Sequence, residues 1–462
     1  MLRKGLVLLV VALLVGITGF AASQVHLTWS TNDVYTTITV NWWSPVKEAE
    51  GVVYGLTSQD NPAKYDSYQE GTPHQIAPKV DVFGNPIDKV WDGYYYQAQL
   101  TNLKPGTVYY FRVGGNSGFT REWKFRTIAR DENVKFVFGG DSRRPYTPNF
   151  VEVKKHPEKP MNWPFARDYI TQAAAAEDPD FIIFDGDFVG TGSDQSQWQN
   201  WMDAWQEYAV TNDGRMIPIV PLPGNHEFGA YPNKEAAYDW FGGQFALPGP
   251  YYSLDFPNLH ITALDATFTQ ITSRNAFPLA KKEAESQLPW LKQDLQSNAQ
   301  WKIVVFHVNY FGCFQSGTGY PSDPYMQTWT DAFQDNHVDV VIMGHTHNYT
   351  RSWPVVVTGF KETQPPSVAA IYKLVKSSEE GITYIVQGAW GAAPDFLKPT
   401  GGCTVQDYIA AAVAHPCYSV AEVNGDKLEI TTKDTSGTVF DDVTLPYTTD
   451  SFPTPDYDQV IH

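Results

Sequence analysis

Cysteine is scarce in this chain, with three in 462 residues: Cys313, Cys403 and Cys417. So few exclude a small disulfide-stapled scaffold, and their spacing fits no zinc-binding pattern. Charge is also sparse at 18% of residues, while hydrophobic residues reach 42%, which excludes a largely disordered chain. Basic residues are the scarcer sign, 33 against 51 acidic, for a formal charge of −18. Such a surface repels nucleic-acid polymers and anionic membranes, because phosphate-backbone binding needs clustered Lys and Arg. Low-complexity stretches and internal repeats are lacking, and beyond the N-terminus no apolar run is long enough to span a bilayer.

The N-terminus itself has the parts of a secretory signal over residues 1–23: Arg3 and Lys4, an apolar run from Gly5 to Ile17, then Ala21, Ala22 and Ser23. Export to the periplasm or the extracellular space is expected, with cleavage near Ala22 to Gln24 and no stable membrane insertion afterwards. The alternative is an uncleaved anchor. Export permits a disulfide, and Cys403 with Cys417, which close a short Gly-rich loop, are the preferred pair. Cys313 is then a small buried side chain.

The length exceeds one ordinary domain. From residue 25 to 128 the sequence reads as short strands between turns, with VHLTWS, TTITVNWWS, GVVYGL, YYYQAQL, VYYFRVGG and REWKFRTI as β patterns. A sandwich of about seven strands is expected. From 134 to 445 strands alternate with helices, as in VKFVFGGD, DFIIFDGD, WKIVVFHV and VDVVIMGHTH, with helices at Pro164 to Glu177, Gln195 to Val210 and Lys281 to Ser297. Two mixed sheets face to face, flanked by helices, are expected there, with CYSVAEVNGDKLEITTKD as a hairpin closing a second sheet and residues 446–462 as a tail.

Ligand-type residues recur where the apolar strands run out: Asp141, Asp187, Asn225 with His226, His307, and His345 with His347. In open α/β sheets ligands bind at the carboxyl ends of the strands, so these ends define one cluster with the character of a metal site. Singly, Asp141 is as well explained as a helix cap, Asn225 as a turn and His307 as a core histidine. Their joint recurrence is not.

The blocks FGGDSR, DGDFVG, PGNHEF, VVFHV and MGHTHNYTR resemble, in order, the five signature blocks of the calcineurin-like metallophosphoesterases. LTNLKPGTVYYFRV is similar to the fibronectin type III signature, and a fibronectin-like domain ahead of an ending with His345, His347, Tyr349 and Arg351 resembles the purple acid phosphatases. The resemblance implies an all-β fibronectin III-like sandwich followed by an α/β metallophosphoesterase domain. It implies two divalent ions that activate a bridging hydroxide against a small phosphate ester. Asp187 would bridge them, with Asp141 and His347 completing the first position and Asn225, His307 and His345 the second. Fe, Mn, Zn or Ni suit such ligands. His226 would stand beside the phosphate as a general acid, and Glu227 would hold an imidazole in place. Asp185, Tyr349 and Arg351 would support the ligands.

Two departures concern the first position. The usual Asp-x-His reads Asp141-Ser142-Arg143, and the purple enzymes' tyrosine position holds Gly190. No tyrosinate-iron chromophore is therefore expected. Arg143 stays protonated and cannot ligate, but its planar fork could clamp a phosphate or replace part of the missing charge; the alternative is that it pairs with an acid such as Glu152. Three functions follow: a phosphate monoesterase, a phosphodiesterase on the same dimetal core, or a non-catalytic ligand-binding or adhesion protein with a degraded first site. The retention of all seven residues Asp141, Asp187, Asn225, His226, His307, His345 and His347 argues against the last.

Overall fold

The computed structural model describes residues 22–77, 90–131, 133–143, 166–228, 234–267, 277–309, 324–362, 370–394, 408–447 and 459–461. The apolar run of the signal segment, Glu152, Cys313 and Cys403 lie outside them. Cys417 is a free, buried thiol beside Gln387, so it is not half of the expected disulfide.

The first domain packs two antiparallel sheets. One orders Ser23–Thr28, Ile38–Ser44, Tyr94–Leu100 and Thr72–His74; the other orders Ser67–Glu70, Glu50–Gly55, Val108–Gly115 and Gly118–Phe119, with Trp123–Arg126 also on Val108–Gly115. The short Ser67–Glu70, Thr72–His74 and Gly118–Phe119 are the strands that periodicity alone does not reveal. Along Val108–Gly115 the period-2 pleat buries Tyr109, Phe111 and Val113 between the sheets. The Tyr109 hydroxyl accepts the Lys104 N–H at 2.9 Å, pinning the Lys104-Pro105-Gly106 turn, as expected of a tyrosine at a sheet corner.

This sandwich is docked on the second domain. Trp29 packs edge-on against Phe181 and Phe256, which stack on each other at 4.2 Å. Thr28 Oγ1 donates to the Phe245 carbonyl at 2.7 Å, and the ring nitrogens of His26 and His74 meet the carbonyls of Gln244 and Gly243 at 2.8 and 2.6 Å. These bonds satisfy the carboxyl end of the helix Lys234–Phe245, whose last carbonyls have no partner within the helix.

The second domain has the expected two large sheets. The six-stranded one orders Ile219–Pro221, Phe181–Phe184, Asn133–Gly139, Tyr418–Asn424, Lys427–Lys433 and Val439–Leu445. The seven-stranded one orders Tyr252–Phe256, Leu259–Ala263, Trp301–Val305, Val340–Met343, Thr383–Gln387, Tyr349–Ser352 and Ile409–Val413. The expected hairpin is present as Tyr418–Lys433 and joins the six-stranded sheet, pairing Val420 with Val137. The expected tail is not wholly outside the fold, because Gln459–Ile461 pairs with Ala370–Lys376 in a small third sheet.

Each large sheet contains a block of parallel strands, at one side of the six-stranded sheet and at the centre of the seven-stranded one. Phe136, Phe181 and Phe138, Ile183 are register partners in one; Ile303 pairs with Val340, and Val340 with Thr383, in the other. The carboxyl ends within each sheet are thereby aligned, and the loops leaving them carry the ligand-type residues.

Candidate metal centre

Three of the expected ligands sit in backbone conformations that side-chain-bearing residues rarely adopt: Asp141 at φ 61°, Asp187 at φ 54° and His345 at φ 72°. Such strain costs about 1–3 kcal/mol per residue and persists where the surroundings over-determine it. Here the surroundings are backbone bonds between strand ends. The Asp141 N–H donates to the Gly186 carbonyl at 2.9 Å, the Ser142 N–H to the Asp187 carbonyl at 3.0 Å, and the Asp185 N–H to the Gly139 carbonyl at 3.0 Å. Glycine is obligatory at Gly344, where a Cβ would lie 2.5 Å from Asp185 Oδ1 and 2.8 Å from Asp141 Oδ2.

Asp141, Asp185, Asp187 and His307 have no solvent exposure, and Asn225 has 5%. Ligand atoms of Asp187, His307 and His345 lie within 4.8 Å of one another, as do those of Asp141, Asp185 and His307. His307 Nε2 is 3.2 Å from both Asp187 Oδ1 and Asn225 Oδ1, and His345 Nδ1 is 2.8 Å from that same amide oxygen. Asp141 Oδ2 accepts the His345 N–H at 2.7 Å, and His347 Nε2 is 3.5 Å from Asp141 Oδ1. Asp141 Oδ1, Asp187 Oδ2 and both Asp185 oxygens are buried without a hydrogen-bond partner. Orphaned carboxylate oxygens with no water access are costly unless a cation faces them. The donor set of carboxylate, amide oxygen and imidazole therefore fits a borderline divalent ion, most fully at the second position.

The charges answer one another. Burial opposes ionisation of Asp187, but His307 and Arg143 outweigh it and hold that carboxyl well below the usual range. Burial and the neighbouring Asp141 push Asp185 well above it. Burial lowers His307, yet Asp187 and Asp141 carry it up to about 10, while burial and His307 bring His345 down to about 4. A ligating imidazole must be neutral, so metal uptake displaces the His307 proton. Affinity for Zn²⁺ or Mn²⁺ is thus expected to rise with pH below about 10, with proton release measurable by calorimetry in buffers of different ionisation enthalpy. Affinity flat between pH 5 and 8 would contradict this.

Around the cluster the expected supporting residues take different parts. Glu227 holds no imidazole: its carboxylate accepts the N–H groups of Asp187 at 2.8 Å, Gly224 at 2.7 Å and Val189 at 3.1 Å, tying together the two loops that carry Asp187 and Asn225. Burial and Asp187 push it up to about 8. Asp185 acts through its carbonyl, which faces His307 Nδ1 at 2.9 Å and orients that ring. Tyr349 and Arg351 direct their polar atoms away from the ligands. The Tyr349 hydroxyl and Arg351 Nε both donate to Asp441 Oδ2 at 2.6 Å, and Arg351 also reaches Asp441 Oδ1 and the Tyr447 hydroxyl. Asp441 lies on the other sheet, so the pair clamps the two sheets together.

His226 has its Nδ1 2.8 Å from the Gly190 carbonyl and its Nε2 in contact with Arg143. Arg143 also reaches His347 Nε2, and its Nε is 3.2 Å from Asp187 Oδ2. Sequence reasoning missed Trp201, whose indole N–H donates to Ser142 Oγ at 2.9 Å and so fixes the loop bearing Arg143; the Trp-rich helix was its only signal. Residues 310–323, which follow His307, lie outside the described residues, and Trp390 is wholly buried in the core.

Residues 156–349 match the family model for calcineurin-like phosphoesterases, and residues 22–127 match that of the purple acid phosphatase N-terminal domain. The chain carries a calcineurin-like metallophosphoesterase domain preceded by a purple acid phosphatase N-terminal domain. An uncharacterized protein of Mycobacterium tuberculosis is 26% identical over 322 residues, covering 66% of this chain and 58% of that protein. Purple acid phosphatase 21 of Arabidopsis thaliana is 23% identical over 355 residues, 73% of this chain and 68% of that one. The match thus spans less than two thirds of the mycobacterial relative's length. The structure of purple acid phosphatase PPD1 from yellow lupin seeds superposes with a TM-score of 0.68 at 17% identity, covering 94% of this chain and 77% of that one, a likeness of fold. That likeness embraces both domains of the metallophosphoesterase architecture, sandwich first.

Proposed function

We propose that this metallophosphoesterase is an exported, metal-dependent phosphatase acting on small phosphate monoesters. One observation carries the proposal: Asp141 Oδ1 and Asp187 Oδ2 are buried carboxylate oxygens that accept no hydrogen bond, set among the ligand-type groups of Asn225, His307, His345 and His347. Divalent ions of the Fe, Mn, Zn or Ni type suit that cage and, when bound, supply an activated water and Lewis acidity toward the phosphoryl group.

The chain's own residues supply the rest. Asp187 presents oxygens toward both positions, its backbone held by Glu227. His226 is anchored at Nδ1 by the Gly190 carbonyl, so its Nε2 accepts from Arg143 in the free protein; to serve the departing oxygen as an acid, Nε2 must part from the guanidinium and take up a proton. Arg143, with 23% of its side chain exposed, offers a planar fork to phosphate oxygens. The local cations attract a small dianion, whereas the net charge of −18 disfavours a polymeric one. Export rests on the signal-like residues 1–23, and among the described residues no helix is long and apolar enough to cross a membrane.

The test compares p-nitrophenyl phosphate with bis-p-nitrophenyl phosphate on protein purified without chelator. Faster hydrolysis of the monoester is expected; preference for the diester would reassign the same core to phosphodiester substrates.

A further inference from the structure

The first metal position does not fit an ion as the second does, because a side chain already stands among its ligands. Arg143 Nε is 3.2 Å from Asp187 Oδ2, the carboxylate oxygen that accepts no hydrogen bond, and its two terminal nitrogens meet His347 Nε2 and His226 Nε2. The tautomers make these contacts favourable. His347 Nδ1 is 2.8 Å from the Ala393 carbonyl and His226 Nδ1 is 2.8 Å from the Gly190 carbonyl, and a carbonyl accepts only, so each Nδ1 carries the hydrogen. Each Nε2 is then a bare lone pair facing a guanidinium N–H. The lone pair of His347 and the free oxygen of Asp187, two of the three donors expected for the first ion, are both directed at the arginine.

We infer that Arg143 serves as a built-in cation at the first position, so that the working enzyme holds a single divalent ion, bound by Asp187, Asn225, His307 and His345. This rests on the metallophosphatase reading and changes its stoichiometry. The loop is built to hold the arginine there: the Ser142 N–H is bonded to the Asp187 carbonyl at 3.0 Å, Ser142 Oγ to the Phe188 carbonyl at 3.2 Å, and Trp201 to Ser142 Oγ at 2.9 Å. A second divalent ion would have to displace the guanidinium or share its ligands against like charge. One divalent ion and Arg143 bring three positive charges against two from Asp141 and Asp187, leaving the site attractive to a phosphate dianion. Unlike an ion, the arginine cannot be lost to a chelator, and it does not deprotonate near neutral pH.

The experiment counts ions on the full-length chain. Protein loaded with Mn²⁺ and freed of loose ions by gel filtration is measured by elemental analysis, native mass spectrometry and electron paramagnetic resonance. One Mn²⁺ per chain with the hyperfine pattern of an isolated ion is expected. Arg143→His, which restores an imidazole at that position, is expected to raise the count to two with an exchange-coupled spectrum; Arg143→Ala, which only vacates the space, is expected to add a second ion that binds more weakly. Melting curves confirm that each variant is folded. Two equally retained ions in the unsubstituted protein would overturn the inference while leaving the phosphatase reading intact, and so would a count of one in both variants. Failure to retain any ion, together with no phosphate release in any divalent metal, would instead sink the phosphatase reading itself.

Discussion

Asp187→Asn is expected to lower kcat/KM by on the order of 10² to 10⁴, the equivalent of about 3–5 kcal/mol for removing one partner of a buried charge pair. The substitution is close to isosteric. Its amide oxygen can still accept the His226 N–H, which Asp187 Oδ1 accepts at 3.0 Å, and its backbone N–H can still reach Glu227. What it removes is the charge facing His307 and Arg143, including the buried Oδ2 that accepts no hydrogen bond. Metal content should fall with activity while the circular-dichroism spectrum stays that of the unsubstituted protein. A folded Asp187→Asn protein that kept more than a few per cent of the activity would show that this carboxylate does not organise the centre.

His226→Ala should separate binding from turnover. The imidazole has no place in the tight ligand groups of Asp187, His307 and His345 or of Asp141, Asp185 and His307, so the metal content is expected to be unchanged. The rate should fall by about 10² to 10⁴, the usual worth of a positioned general acid. That role makes a further demand: the deficit should be small for p-nitrophenyl phosphate, whose leaving group needs little protonation, and large for an alkyl phosphate. Equal deficits on both would assign His226 to holding Arg143 in place, since its Nε2 touches that guanidinium.

The ligands were legible because each stands just beyond an apolar strand, and the parallel pairing of those strands leaves their carboxyl ends aligned. The sandwich was legible from its alternation and its Pro-Gly turn. What the sequence concealed depends on partners far along the chain. Tyr349 and Arg351 are two residues apart on one strand, so they share a face, but nothing local shows that the face meets Asp441 some 90 residues later. Glu227 looked like a support for an imidazole because it follows His226; the tight turn instead folds its carboxylate back onto three N–H groups, including that of Gly224 in its own block. The hairpin at Tyr418–Lys433 was recognisable, yet which sheet it joins is decided by long-range pairing with Asn133–Gly139. Arg143 was visible as a departure from the usual block, and only the fold shows that its fork lies between Asp187, His226 and His347.

The central claim is that hydrolysis of a phosphate ester depends on a metal held in this cage. Its most direct measurement is phosphate release from p-nitrophenyl phosphate by protein purified without chelator, then after treatment with a strong chelator, then after return of Mn²⁺, Fe, Zn²⁺ or Ni²⁺ singly. The account predicts turnover in the first state, its loss in the second and its return with at least one of the ions. Turnover untouched by complete removal of metal, or none in any of the three states from a folded protein, would contradict it.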